Sequence, residues 1–209
     1  MKKLLVCLGL LLLVPGLALA QDPTTIVNDP AGPFVGYFVG YYANNVGPVP
    51  GSPDQVIRII NTGTLGTPLT SPVGDICADI YVFDNNQEMI ACCAERITPN
   101  ELDSAAVGAQ LTANPLTSVV PTAGVVKIIT QAVPPGGCTP TALTLAFADA
   151  DVSSTHLQVS GGKTYVTETV VPTASPLSAA EYTFLQQACA FTLYLGSSKG
   201  TCSSTVPGH

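Results

Sequence analysis

The sequence predicts a mainly β protein, a disulfide-stabilised β-sandwich with one C-terminal α-helix. Three observations carry that reading. Short runs rich in Val, Ile, Thr and Tyr recur between Gly, Pro and Asn turn signals, as in antiparallel sandwiches. Six cysteines follow a leader with the pattern of an export signal, so they are expected to be oxidised. One stretch, after Leu177, combines a helix start signal with an apolar stripe at helical spacing.

The leader comes first. Lys2 and Lys3 form a positive start, Leu4 to Leu13 an apolar run, and Ala18-Leu19-Ala20 a small-x-small cleavage site before Gln21. The run is short for a membrane span, which takes about 20 apolar residues. Cys7 sits at the start of this run with Val6 before it, which is the wrong context for lipidation. The chain therefore divides into a signal peptide (1–20), a leader with an aromatic strand (21–53) and a sandwich with a C-terminal helix (54–209). Losing Lys2 and Lys3 leaves five basic residues against 14 acidic ones, a formal charge of −9. So few cations neutralise few phosphates, which argues against nucleic acid as a partner. No later run is long and apolar enough to predict a second membrane span.

Residues 21–33, rich in Pro, Asp and Thr, read as a leader. Next comes a doubled Phe-Val-Gly-Tyr: Phe34, Val35, Gly36, Tyr37, Phe38, Val39, Gly40, Tyr41 and Tyr42. It holds five of the chain's thirteen aromatic residues. As a strand it is apolar or aromatic on both faces, so both faces are expected to be covered. Val56 to Ile60 is a strand stopped by Asn61-Thr62-Gly63, and Leu65 to Thr70 can pair back onto it. Ile80 to Phe83 and Glu88 to Cys93 form a hairpin around Asp84 to Gln87. Leu102 to Leu111 alternates weakly and reads as strand or loop. Gly124 to Thr130 is a strand, Pro134 to Gly137 a turn, and Leu143 to Phe147 a further strand. His156 to Val159 and Thr164 to Val170 are strands joined by Gly161-Gly162. Ser178-Ala179-Ala180-Glu181 is a capping box, with Leu177 placed to staple onto Tyr182. The apolar stripe of that helix is Phe184, Ala188, Phe191 and Leu195, widened by Leu185 and Cys189. It is expected to pack on a sheet edge or a sandwich end.

The mature cysteines are Cys77, Cys92, Cys93, Cys138, Cys189 and Cys202. The hairpin is expected to bring Cys77 near Cys92 or Cys93, depending on register. Cys189 and Cys202 flank a short loop whose closure would contribute ~3 kcal/mol. Cys138 would then take the remaining member of the adjacent pair.

Catalytic chemistry has little support. A Ser-His-Asp site needs His156 with an orienting carboxylate such as Asp149 or Asp151, and no Gly-x-Ser-x-Gly elbow accompanies it. Gly161-Gly162-Lys163-Thr164 ends like a phosphate loop, but the glycine required five residues before Gly162 is Leu157. Asp149 with Asp151, and Asp84 with Glu88, could offer oxygens to calcium, but neither has EF-hand spacing and both suit turns. The expectation is no cofactor, with calcium the one weak candidate.

Asp75 to Cys93 (DICADIYVFDNNQEMIACC), Thr98-Pro99-Asn100, Asn114 to Thr117, Gly124 to Ile128 and the tail from Leu177 to Cys202 resemble a group of uncharacterised secreted proteins of acidobacteria-like soil bacteria. The resemblance covers most of residues 34–204. It implies export and shared disulfides, and no particular activity. A further cysteine often sits in that group at the positions of Glu95 and Ser204, which implies that these two lie close in space.

Two functional expectations follow. The first is a non-enzymatic extracellular structural or cell-surface protein, a self-assembling fibre subunit through residues 34–42, whose partner is a second copy of itself. The alternative is a secreted hydrolase or a small-ligand or carbohydrate-binding module using Asp149, Asp151 and His156.

Overall fold

The computed structural model describes residues 37–43, 54–63, 74–112, 121, 123–143, 148, 150–171 and 177–194. Eight strands lie there: β1 (Tyr37–Ala43), β2 (Val56–Asn61), β3 (Ile76–Asp84), β4 (Met89–Ile97), β5 (Leu102–Ala106), β6 (Ala123–Ala132), β7 (Ala150–Ser160) and β8 (Lys163–Val171). One helix, α1 (Ala179–Tyr194), follows. Every ladder is antiparallel. One sheet runs β1-β6-β3-β4 and the other β5-β2-β7-β8. This is the β-sandwich with a C-terminal helix that the sequence predicts. Of the aromatic strand, Tyr37–Ala43 is described, and this β1 pairs within its own chain, along β6. Phe34, Val35 and Gly36 lie outside the described residues, as do the predicted strand at 65–70 and residues 144–147 of the one at 143–147.

β3 explains the layering. Ile76, Ala78, Ile80 and Val82 point between the sheets, into a core with Ile57, Ile59, Val126, Ile128 and Val152. Tyr81 and Phe83 point the other way, into a second cluster with Cys92, Ile129, Leu143, Leu177, Leu185 and Cys189. Both faces are therefore covered, and Ile76 to Phe83 is buried without a break. A strand covered on both faces reads as a continuous apolar run. The order is sheet, sheet, helix. α1 thus lies on the outer face of the β1-β6-β3-β4 sheet, not at an edge or a sandwich end.

The helix starts as expected: the Ser178 hydroxyl accepts the Glu181 N–H at 3.1 Å, and Leu177 and Tyr182 join one cluster. Its buried face keeps the two residues that widened the predicted stripe, Leu185 and Cys189, and turns away from Phe191. Leu185, Cys189 and Thr192 are buried, whereas Phe184 is 46% and Phe191 63% exposed. A disulfide from Cys189 to Cys92 of β4 fixes which side meets the sheet. One residue along an α-helix turns the side chain by about 100°, so this anchor centres the seam on Leu185 and leaves Phe184 at its margin, stacked on Phe83 at 5.9 Å between ring centroids. Leu195 lies outside the described residues.

The disulfides correct the predicted pairing. Cys77 bridges Cys138, and Cys92 bridges Cys189. In the β3–β4 ladder Cys77 faces Arg96 while Cys92 faces Tyr81. The two cysteines are therefore four positions apart along the hairpin, about 13 Å, against the roughly 4.4–6.8 Å between Cα atoms that a disulfide spans. Cys138 and Cys189 reach them from the outer layer, at 5.4 and 5.7 Å between Cα atoms. Cys189 is thus not free for Cys202. Cys93 turns to the inter-sheet core and is also disulfide-bonded; Cys202 lies outside the described residues.

Two local devices hold the sandwich together. Asn61, at the end of β2, donates its side-chain amide to the carbonyls of Gly74 and Ile97 at 2.8 and 2.9 Å, and its Oδ1 accepts the Gly63 N–H. One buried side chain thus ties β2 to the start of β3 and the end of β4. After β5 the chain makes one π-helical turn, Val107–Leu111, which resolves the weak alternation of 102–111 into a strand and a turn. Asp54 accepts the N–H groups of Gly108 and Ala109 at its start. A Cβ on Gly108 would come within 2.9 Å of the Asp54 carboxylate, so a larger residue there would make the Asp54 side chain shift from these two N–H groups.

Candidate assembly edges

A β-sandwich has open strand edges, and those of this chain differ. β1 lies against β7 and β8, so β1 and β8 share one side of the sandwich. β4 and β5 are the edge strands of the opposite side. An open edge offers unpaired backbone groups to another strand unless something blocks it.

The β4/β5 side is blocked. Glu95 lies between Cys93 and Ile97 on the core-facing side of β4, and Asp103 is two residues before core residue Ala105 on β5. Asp103 is near enough to Glu95 to act on it electrostatically across the seam. Burial, and then the nearby Asp103, push Glu95 up to about 7. Burial also raises Asp103, with Glu101 adding to it. Inward-turned acids of this kind discourage strand addition. Ser204, which the resemblance places near Glu95, lies outside the described residues.

The β1/β8 side has no such block on β8. β7 and β8 form a hairpin whose nine ladder pairs run unbroken from Val152↔Val171 to Ser160↔Lys163. Gly161 and Gly162 make the turn with φ of 57° and 73°, the two successive positive values that a type I′ turn requires. Every residue from Lys163 to Val170 is exposed, on both faces of the strand. Tyr165, Val166 and Val170 are the large apolar groups among them. The strand has no proline and no bulge, and Glu168 is its single acid, paired with Arg58 at 3.3 Å and bonded by the Ser153 hydroxyl at 3.0 Å. β1 likewise has one ladder partner among the described residues, β6, in register from Tyr37↔Ile129 to Ala43↔Ala123.

The residues singled out for chemistry do not converge. Asp151 is exposed at the start of β7, while His156 is buried on the opposite face of that strand. The His156 Nε2 lies 3.2 Å from the Ser154 hydroxyl, inside the sandwich, and burial lowers the imidazole's pKa. Asp149 lies outside the described residues. Asp84 accepts the N–H groups of Asn86 and Glu88 at 2.8 and 2.9 Å, so its oxygens close the β3–β4 turn.

One polar group escapes sequence reasoning altogether. Asp79 is fully buried on the helix-facing side of β3. Its Oδ2 accepts the Gln131 side-chain amide at 2.5 Å, and its Oδ1 has no partner among the described residues. Burial pushes its carboxyl up to about 8, so it is neutral at pH 7. Burial, and then Asp79, also raise Tyr81, whose hydroxyl donates to the Pro140 carbonyl at 2.8 Å. The signal was a lone acid inside an apolar run, Ile76 to Phe83. The β8 strand itself had a signal, since Thr164 to Val170 is rich in strand-forming residues; its place at an edge had none.

No family model matches the chain, and no curated protein matches it. A solved structure, the Anabaena sensory rhodopsin transducer, aligns with 47% of this chain and 90% of its own at 12% identity, with a TM-score of 0.32.

Proposed function

We propose that the protein is a secreted, non-enzymatic structural subunit that assembles with copies of itself by exchange of strand β1. One observation carries this reading. β1 is an edge strand, and it occupies a slot beside β6 that must be filled. β6 is central to its sheet, with Val126, Ile128 and Ile129 buried. Removing β1 would open a full ladder of β6 donors and acceptors, so an equivalent strand from a neighbour satisfies the same groups in the same register. The own strand holds the slot by effective concentration, and a neighbour's takes it where subunits are crowded. The leader and the oxidised cysteines fit an extracellular setting.

Deleting residues 21–45 tests this. The expected product is a folded subunit that no longer assembles and that binds a synthetic peptide of residues 34–45. A wild-type chain that stays monomeric at every concentration and age examined by electron microscopy and sedimentation would defeat the proposal.

A further inference from the structure

We infer that β8 is a second self-association site, at which two copies pair their β8 strands antiparallel about a two-fold axis through Val166. The inference names the geometry of one contact and rests on the self-assembly reading. Copies of an acidic chain repel, so the contact must use an edge where the charge is low. β8 is such an edge. Its surroundings carry Lys163 and the Arg58–Glu168 pair, two of the five basic residues left after the leader. The β4/β5 side presents Glu95, Glu101 and Asp103 instead, and the one cation of these two strands, Arg96, is held by Asp75.

Geometry restricts the register. A two-fold axis normal to a sheet leaves each side chain on its own face, so the axis passes through a residue paired with its own copy. An axis at Glu168 would set two carboxylates directly opposite, which is destabilising. An axis at Thr167 would place Glu168 against Val166 twice. An axis at Tyr165 would shorten the ladder, because the Gly161-Gly162 turn ends the strand. An axis at Val166 uses Lys163 to Thr169. It sets Val166 on Val166, Tyr165 on Thr167, Thr164 on Glu168 and Lys163 on Thr169. Aromatic and β-branched pairs of this kind stabilise a ladder, and no like charges meet. The exposed backbone edge supplies the hydrogen bonds, and the full exposure of 163–170 leaves room for the second strand.

The contact is read with the oxidised, mature chain in two experiments. In sedimentation, the wild type is expected to dimerise at micromolar concentration, and Val166→Lys to raise the dimer dissociation constant by about tenfold or more. Val166 is exposed, so the variant is expected to keep the wild-type circular dichroism. In cross-linking, Val166→Cys is expected to form an intermolecular disulfide with its own copy, and Thr169→Cys, which faces Lys163 of the copy, is not. Assembly that survives Val166→Lys, or equal cross-linking by both cysteine variants, overturns the β8 contact while leaving β1 exchange standing. A wild type that forms only Val166-dependent dimers supports this contact and removes the filament.

Discussion

Asp79 sets a pH dependence that can be derived from its surroundings. Its folded value is about 8 and its ordinary value 3.8, so between these pH values the folded chain keeps a proton that the unfolded chain releases. Its contribution is therefore fully present below about pH 4, declines as pH rises, and is gone above about pH 8. At pH 7 the loss approaches an upper bound of about 4 kcal/mol, at 1.4 kcal/mol per unit. Asp79→Asn carries no charge and keeps an oxygen for the Gln131 amide. The variant is expected to be more stable than wild type at pH 8 and similar at pH 4, read from urea midpoints; an unchanged difference across that range would contradict the neutral carboxyl. Asn61 works in the opposite sense. Asn61→Ala leaves the Gly74 and Ile97 carbonyls and the Gly63 N–H without their partner, so a cost of about 2–4 kcal/mol is expected. Asn61→Asp, which replaces the donor with an acceptor, should cost at least as much.

At the scale of elements, α1 separates what periodicity reveals from what it leaves open. Ser178, Glu181 and Leu177 marked its start, because capping is a local interaction. Its buried face was only half legible: Leu185 and Cys189 belonged to the predicted stripe, but its centre did not follow, because Phe184 and Leu185 are both apolar and the helix is hydrophobic on two sides. The choice was made by a long-range bond, Cys92 to Cys189. Leu185→Ala is therefore expected to cost about 2–5 kcal/mol, and Phe191→Ala less than about 0.5 kcal/mol, in equilibrium unfolding. The reverse ranking would mean that the helix rests on the aromatic face. The strands read better: β2, β6 and β8 match their apolar runs because each is bounded by Gly, Asn or Pro, whereas β7 starts at Ala150, six residues before the predicted run, because Asp151, Ser153 and Ser154 hide its first half. The cysteine pairs were obscured for the same reason as the helix face. Hairpin register places Cys77 opposite Arg96, and only the third layer brings Cys138 and Cys189 within reach. The site was half legible. The doubled Phe-Val-Gly-Tyr drew attention to β1, whereas β8 became an edge only through the order of its sheet.

At the scale of the whole molecule, the two bridges between described cysteines serve one purpose. Both fasten the outer layer to the same sheet face: Cys138 lies in the segment after β6 and Cys189 in α1. They close separations of 61 and 97 residues. Each would contribute roughly 4–5 kcal/mol by chain entropy alone, though the loops overlap and the values do not add. The inter-sheet core of Ile57, Ile80, Ile128 and Val152 depends on neither bridge for its contacts. The outer layer is smaller and has more to lose, since its exposed Phe191 and Tyr194 contribute little burial. Replacing Cys92 and Cys189 together by Ala is therefore expected to uncouple the layers. Hydrogen exchange should show α1 amides losing protection well before those of β3 and β6, and at lower denaturant. Simultaneous loss in helix and strands would mean that the three layers fold as one unit and that the bridge adds only global stability. Layered loss would leave the sandwich, with both of its open edges, as the part that carries assembly.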